Sequence, residues 1–366
     1  MKTLQQAARR TVREVLKLKP NERMLVISCP VKSREEIARA IYEEARQVSK
    51  KVLYVLQEPR ISGDYRDELL NTLIKAEPEV IYAASYDVLG RDPEGLVKPY
   101  HLGRQTFTDI LKYLEAKKKI RGAYLGGHFD GKMFTRLTMI DLLAIRKDGV
   151  QLQGYLNAAH TMVIKTPYGT ELNIPIRGRR AINGSLGRFD RPGNFGNWPS
   201  GEVFVSPEVG KTEGTYAIDG SINIPGKVLA PKKPIILFLR NGFIYDIAGG
   251  TEARELKTVL RKAVRQIRHL QKDGNLSPTL ARVYARNIYG IGEAAMGINP
   301  AATVRGRSSL EDEITYGTAH IAIGANYNHD QPTLIHFDAV TRCPEITAYL
   351  PGNQKKVLVA NHQVLP

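Results

Sequence analysis

The chain has 366 residues, 42% hydrophobic and 25% charged, a balance that excludes a disordered or low-complexity protein and allows two separate cores. Its 53 Lys and Arg against 37 Asp and Glu give a net charge of +16. The basic residues are scattered, with Arg177-Gly178-Arg179-Arg180 and Lys117-Lys118-Lys119 the densest groups, so solvated surface rather than a nucleic-acid interface is expected.

Met1 to Leu18 carries a charge every few residues and reads as an amphipathic helix, without the apolar core of a signal peptide. Met24 to Ser28 is an apolar run, Ser33 to Ser49 follows with a Ser-x-x-Glu cap and helical periodicity, and Lys51 to Leu56 is a second apolar run. This predicts a βαβ unit. Helix at Tyr65 to Lys75, strand at Val80 to Ser85, helix at Phe107 to Lys117 and strand at Gly122 to Gly126 continue the alternation, which predicts a parallel sheet flanked by helices. Cys29 and Cys343 form neither a Cys-x-x-Cys pair nor a disulfide framework and fit a reducing cytoplasm. No run is long enough to span a membrane, so a cytoplasmic protein with no membrane partner is expected.

From about Asp148 the pattern changes. After a helix at Gln151 to Ala159, the β-rich runs Thr161 to Thr166 and Glu171 to Ile176 are joined by Pro167-Tyr168-Gly169-Thr170, a hairpin signature. Further strands are expected at Glu202 to Val205, Thr215 to Asp219, Ile235 to Leu239 and Phe243 to Ile247, and helices at Thr251 to Gln271 and Ser277 to Tyr289. The expected organisation is an α/β N-terminal domain with a parallel sheet over 1–147. An α+β C-terminal domain with a largely antiparallel sheet, carrying the metal site, is expected over 148–366.

Metal chemistry is suggested by Gly317-Thr318-Ala319-His320-Ile321-Ala322-Ile323-Gly324-Ala325-Asn326-Tyr327, followed shortly by His336-Phe337-Asp338. Alternate residues of a strand share a face, so His336 and Asp338 can address one target, and His320 presents an imidazole opposite Ile321 and Ile323. Two imidazoles and a carboxylate suffice for a mononuclear site, and further carboxylates could make it dinuclear. Glu202 and Glu293 each lie beside Gly or Pro turns, where the backbone can bring a carboxylate from afar.

At these residues the chain resembles the M29 metallo-aminopeptidases, the thermophilic aminopeptidase or aminopeptidase T family. The matching blocks are Asn-x-Pro-x-Gly-Glu-Val-Phe ending at Phe204, Glu-x-x-x-Gly-x-Asn-Pro from Glu293, Gly-Thr-x-His-Ile-Ala-x-Gly from Gly317, and His336-x-Asp338, with the turns at Asn241-Gly242 and Gly249-Gly250-Thr251-Glu252-Ala253 between them. The resemblance implies Glu202, Glu293, His320, His336 and Asp338 as metal ligands and Tyr327 as a site tyrosine. It implies a homodimer and a dinuclear hydrolase that releases N-terminal residues from short peptides. Two divalent ions (Zn, Co or Mn) would then ionise a water, with Glu202 as the bridging carboxylate and Tyr327 steadying the oxyanion. The same fold also implies an alternative, a mononuclear Fe(II) ring-cleaving dioxygenase of the 2,5-dihydroxypyridine type using His320, His336 and Asp338. Retention of both Glu202 and Glu293 favours the dinuclear reading.

Other motifs fail on context. Gly290-Ile291-Gly292-Glu293-Ala294-Ala295, with Asp312 beyond it, matches a dinucleotide fingerprint, but helical residues precede it. Asn183-Gly184-Ser185-Leu186-Gly187 is not a nucleophile elbow. His329 belongs to a polar turn, Cys343 is expected to be a buried structural residue, and His101, His128 and His160 have no ligand-like neighbours.

Overall fold

Val52–Leu56, Met24–Ser28, Val80–Ala84, Arg121–Tyr124 and Phe195–Asn197, in that spatial order, form a five-stranded parallel sheet. The structure is a computed structural model that describes residues 2–60, 63–85, 89–103 and 105–366. Met24–Ser28 and Val80–Ala84 are buried along their whole length, as central parallel strands must be when both faces are covered. Leu25, Ile27, Ile81 and Ala83 pack with Leu70 and Ile74 of the helix Glu68–Lys75 and with Ile110, Leu111 and Leu114 of the helix Ile110–Ala116.

Two helix starts differ from expectation. Asp109 accepts from the Leu111 and Lys112 amides at 2.8 and 3.4 Å and so begins its helix at Ile110, leaving Phe107 in the short strand Gln105–Phe107. The helix expected from Tyr65 begins at Glu68. The N-terminal helical stretch runs from Leu4 to Val15, changing from α to π geometry at Thr11.

The chain divides into two compact units, Met1–Leu142 with Gly184–Ser200, and Leu143–Asn183 with Gly201–Pro366. Leu142–Ala158 is one continuous helix, so the expected boundary at 147/148 falls inside it. A single Gly149 costs a helix only about 1 kcal/mol relative to Ala and does not end it.

The second unit holds two antiparallel sheets. An eight-stranded sheet contains the expected hairpin, Thr161–Lys165 against Glu171–Pro175, with Lys165 opposite Glu171. A six-stranded sheet has the order Glu202–Val205, Ile291–Gly297, Ala319–Gly324, His336–Thr341, Ser221–Ile224 and Lys227–Leu229, every neighbouring pair antiparallel. Tyr216 of the larger sheet ties the two together, donating its buried hydroxyl to Ala339 O at 2.8 Å. The helix Thr251–Lys272 buries Ala253, Leu256, Leu260, Ala263 and Ile267, one stripe at helical spacing. Among the described residues no helix is long and apolar enough to cross a membrane.

Candidate metal centre

The register of the six-stranded sheet decides which side chains meet. Ala322 lies opposite Glu293 on one side and opposite Asp338 on the other. Directly opposed residues, and residues two apart on a strand, share a face. His320, two before Ala322, and His336, two before Asp338, therefore join Glu293 and Asp338. Glu202, opposite Gly297, comes to the same face from the edge strand. Its start is fixed at Gly201 (φ 151°), whose carbonyl accepts from Ile298 N at 2.8 Å and where a Cβ would stand 2.6 Å from Asn299 Cβ. Ala322 and Ala295 floor the cluster with methyl groups only.

Five residues singled out from the sequence thus come together. His320 Nε2 is 3.3 Å from Glu293 Oε1 and 3.5 Å from Glu202 Oε2. His336 Nε2 is 3.4 Å from Glu293 Oε2 and 3.2 Å from Asp338 Oδ1. Two ligand-like groups result, Glu202–Glu293–His320 and Glu293–His336–Asp338, with Glu293 common to both. His320 and Glu293 are almost wholly buried, whereas His336 retains 28% of its side-chain surface and marks the open side. His336 Nδ1 donates to Ala325 O at 2.9 Å, so that once the ring gives up its second proton Nε2 is the nitrogen turned inward as a donor to a metal.

Electrostatically the cluster is in debt. Burial, reinforced by the charge of Glu293, pushes the Glu202 carboxyl up to about 8. Burial opposes ionisation of Asp338 too, but the charge and hydrogen bond of His336 outweigh it and hold that carboxyl at about 2. Burial likewise works against the His336 cation, yet Asp338 and Glu293 raise it well above the usual imidazole range. The buried Glu293 Oε2, although near His336, has no hydrogen-bond partner among the described residues. The His336 cation 3.4 Å away offsets part of that oxygen's charge, a role a bound metal ion would take over. Imidazole and carboxylate donors fit a divalent transition metal.

Tyr327 stands at the rim. Its ring packs on Phe204 at 4.9 Å and meets His336 edge-on at 5.3 Å, and its amide donates to Ser206 Oγ at 3.3 Å. Burial and the nearby Glu293 and Asp338 charges raise its phenol far above the ordinary value.

Two neighbours escaped the sequence reading. Glu313, last residue of the helix Ser309–Glu313, faces Asp338, Glu202 and Glu293; burial, added to their charges, pushes its carboxyl well up, and it hydrogen-bonds Asp338. The only local signal was the Ser308 cap that starts its helix. Asn223 donates through Nδ2 to Asp338 Oδ2 at 3.2 Å, and nothing local marks it. Asp312, the acidic member of the rejected fingerprint, accepts from Ser221 Oγ, Arg305 N and Gly306 N and anchors that loop. Cys343 is not buried as expected; it lies partly exposed at φ 50°, 3.5 Å from His362 Nε2.

Residues 143–273 match the family model described as NicX, 2,5-dihydroxypyridine 5,6-dioxygenase. This stretch includes Glu202 but ends before Glu293, His320, His336 and Asp338. A curated 2,5-dihydroxypyridine 5,6-dioxygenase of Pseudomonas putida KT2440 is 32% identical over 107 residues, which span 29% of this chain and 30% of that protein. The solved structure of 2,5-dihydroxypyridine dioxygenase from the same organism superposes with a TM-score of 0.71 at 19% identity, covering 99% of this chain and 96% of the other. Wild-type AmpT from Thermus thermophilus superposes with a TM-score of 0.66 at 16% identity, covering 99% of both chains. At such identities the two superpositions show a shared fold.

The sequence matches overturn the expectation of an M29 metallo-aminopeptidase, and with it hydrolase and protease activity on peptides. The physical reason for the misreading lies in the donor set. Imidazoles and carboxylates of this kind serve hydrolytic and oxidative metals alike, and a fold does not fix a reaction, so retention of Glu202 and Glu293 does not select between them.

Proposed function

We propose that this protein is a mononuclear non-haem Fe(II) dioxygenase that opens the ring of a dihydroxylated pyridine. The observation that carries the reading is the match of residues 143–273 to the dioxygenase family model. His320, His336 and Asp338 would hold the iron as a two-His, one-carboxylate set that leaves coordination positions open, drawn from the two ligand groups that Glu293 joins. When bound, the iron supplies the one-electron chemistry that makes dioxygen reactive toward an electron-rich ring.

The remaining work falls to the chain. The open side beside His336 is walled by Tyr327 and Phe204, aromatic faces against which a flat heterocycle can stack. Glu293 reaches both imidazoles and keeps their Nε2 atoms turned toward the one carboxylate. Glu202, whose carboxyl burial and the charge of Glu293 push up to about 8, is the group suited to exchange a proton with a ring hydroxyl. We propose that the protein is cytoplasmic and a homodimer, the latter tested by sedimentation at micromolar concentration.

The test is anaerobic loading with Fe(II), followed by addition of 2,5-dihydroxypyridine in aerated buffer. One iron per chain, with oxygen uptake matching loss of the ring's absorbance, is expected. Neither uptake nor loss of absorbance in protein shown to hold iron would overturn the proposal.

A further inference from the structure

We infer that Asn223 is a positioning residue for the metal centre, holding one oxygen of Asp338 so that the other alone is offered to the metal. This rests on the reading that the cluster holds a metal ion. Ser221 pairs with Val340 and Ile222 with Ala339. One further step of that antiparallel register sets Asn223 opposite Asp338 on the same face of the sheet. There Asn223 Nδ2 donates to Asp338 Oδ2 at 3.2 Å, while Asp338 Oδ1 lies 3.2 Å from His336 Nε2.

The two oxygens of the carboxylate therefore have separate partners. Rotation about the terminal bond of an Asp side chain is soft, so the strand backbone by itself does not choose between one-oxygen and two-oxygen coordination. The Asn223 amide makes that choice by occupying Oδ2. Its own cost points the same way. Asn223 Oδ1 is buried with no hydrogen-bond partner among the described residues, a penalty of about 1–3 kcal/mol that a leucine of similar size would avoid. The amide at this position is thus poorly explained by packing and well explained by Asp338. Glu313 also reaches the same carboxylate, so the test leaves it intact.

The experiment titrates Co(II) into metal-free wild type, Asn223→Leu and Asn223→Ala, each shown to be folded by circular dichroism. Both variants should bind Co(II) about 10- to 100-fold more weakly, the usual consequence of losing a partner that orients a ligand. Their d–d absorption should also change in position and intensity as the freed Oδ2 alters the coordination. Affinity and spectrum equal to wild type in both variants would overturn the role of Asn223 while leaving the metal site standing. Failure of wild type itself to take up Co(II) would overturn both.

Discussion

Ala322 stands directly opposite Asp338 across the sheet, and its methyl group is what lies between that carboxylate and Glu293 on the neighbouring strand. Ala322 is fully buried, so the floor of the site has no slack. Ala322→Leu should force the carboxylates apart and cost about 1–3 kcal/mol through overpacking. The expected result is a folded protein with a lowered melting temperature and Co(II) affinity reduced at least about tenfold. Calorimetry and metal titration check it, and wild-type affinity in the variant would contradict the floor assignment.

The ligands themselves make a sharper test. His320 and His336 sit on adjacent strands whose apolar cores lie elsewhere, with Ile321, Ile323 and Phe337 on the opposite face. His336→Ala and Asp338→Ala should therefore lose iron without unfolding. Elemental analysis alongside far-ultraviolet circular dichroism reads both effects. Full iron content in the two variants would remove the basis for the proposed site.

How much of this was legible in the sequence depends on how local each signal was. His336 and Asp338 declare themselves by strand alternation, and the βαβ rhythm declares the parallel sheet. Glu202 and Glu293 are marked locally only by the turns beside them, and their meeting depends on strand order, which no local signal carries. Asn223 is 115 residues from Asp338, and only the placement of Ser221–Ile224 beside His336–Thr341 brings them together. The return of Phe195-Gly196-Asn197 as the last strand of the first sheet was equally hidden, since Gly and Asn carry no strand preference. The reaction is not legible for a different reason: the donor set is shared by two chemistries.

A structural prediction tests the first unit. Arg121, buried, grips Glu22 with two guanidinium nitrogens at 2.9 and 2.8 Å and also donates to Leu16 O and Lys17 O. Burial works to raise the Glu22 carboxyl, but the Arg121 hydrogen bonds and charge bring it below its ordinary value. A depressed carboxyl adds stability that is present above the unfolded value, roughly 4.3, and is lost as pH falls through the folded one. Glu22→Gln should destabilise by about 1–3 kcal/mol at pH 7, the range for hydrogen bonds to charged groups. The gap from wild type should close as pH drops below about 4. Urea denaturation at several pH values measures it, and a gap independent of pH would refute the assignment.

Gly292 carries a prediction that links fold to site. A Cβ there would stand 2.1 Å from Ala325 O, the same carbonyl that accepts from His336 Nδ1. Gly292→Ala must therefore push the backbone at Ala325 away and weaken the hydrogen bond that orients His336. Loss of such an outer partner usually costs about 10- to 100-fold in metal affinity. Co(II) titration should show that loss, and unchanged affinity would mean that His336 is oriented by its carboxylate neighbours instead.

The last prediction concerns Tyr327, whose ring and hydroxyl can be separated by mutation. Phe in its place keeps the packing on Phe204 and the edge contact with His336, and deletes only the phenolic oxygen. On the proposed function, that phenol, kept protonated by its surroundings, would serve as a donor toward negative charge developing on the substrate. Tyr327→Phe should then lower kcat by roughly 10-fold or more, with KM and iron content unchanged. Tyr327→Ala removes the aromatic wall as well and should also raise KM. Steady-state oxygen uptake on 2,5-dihydroxypyridine distinguishes the cases: a Phe variant as fast as wild type would leave Tyr327 as a stacking surface with no part in the chemistry.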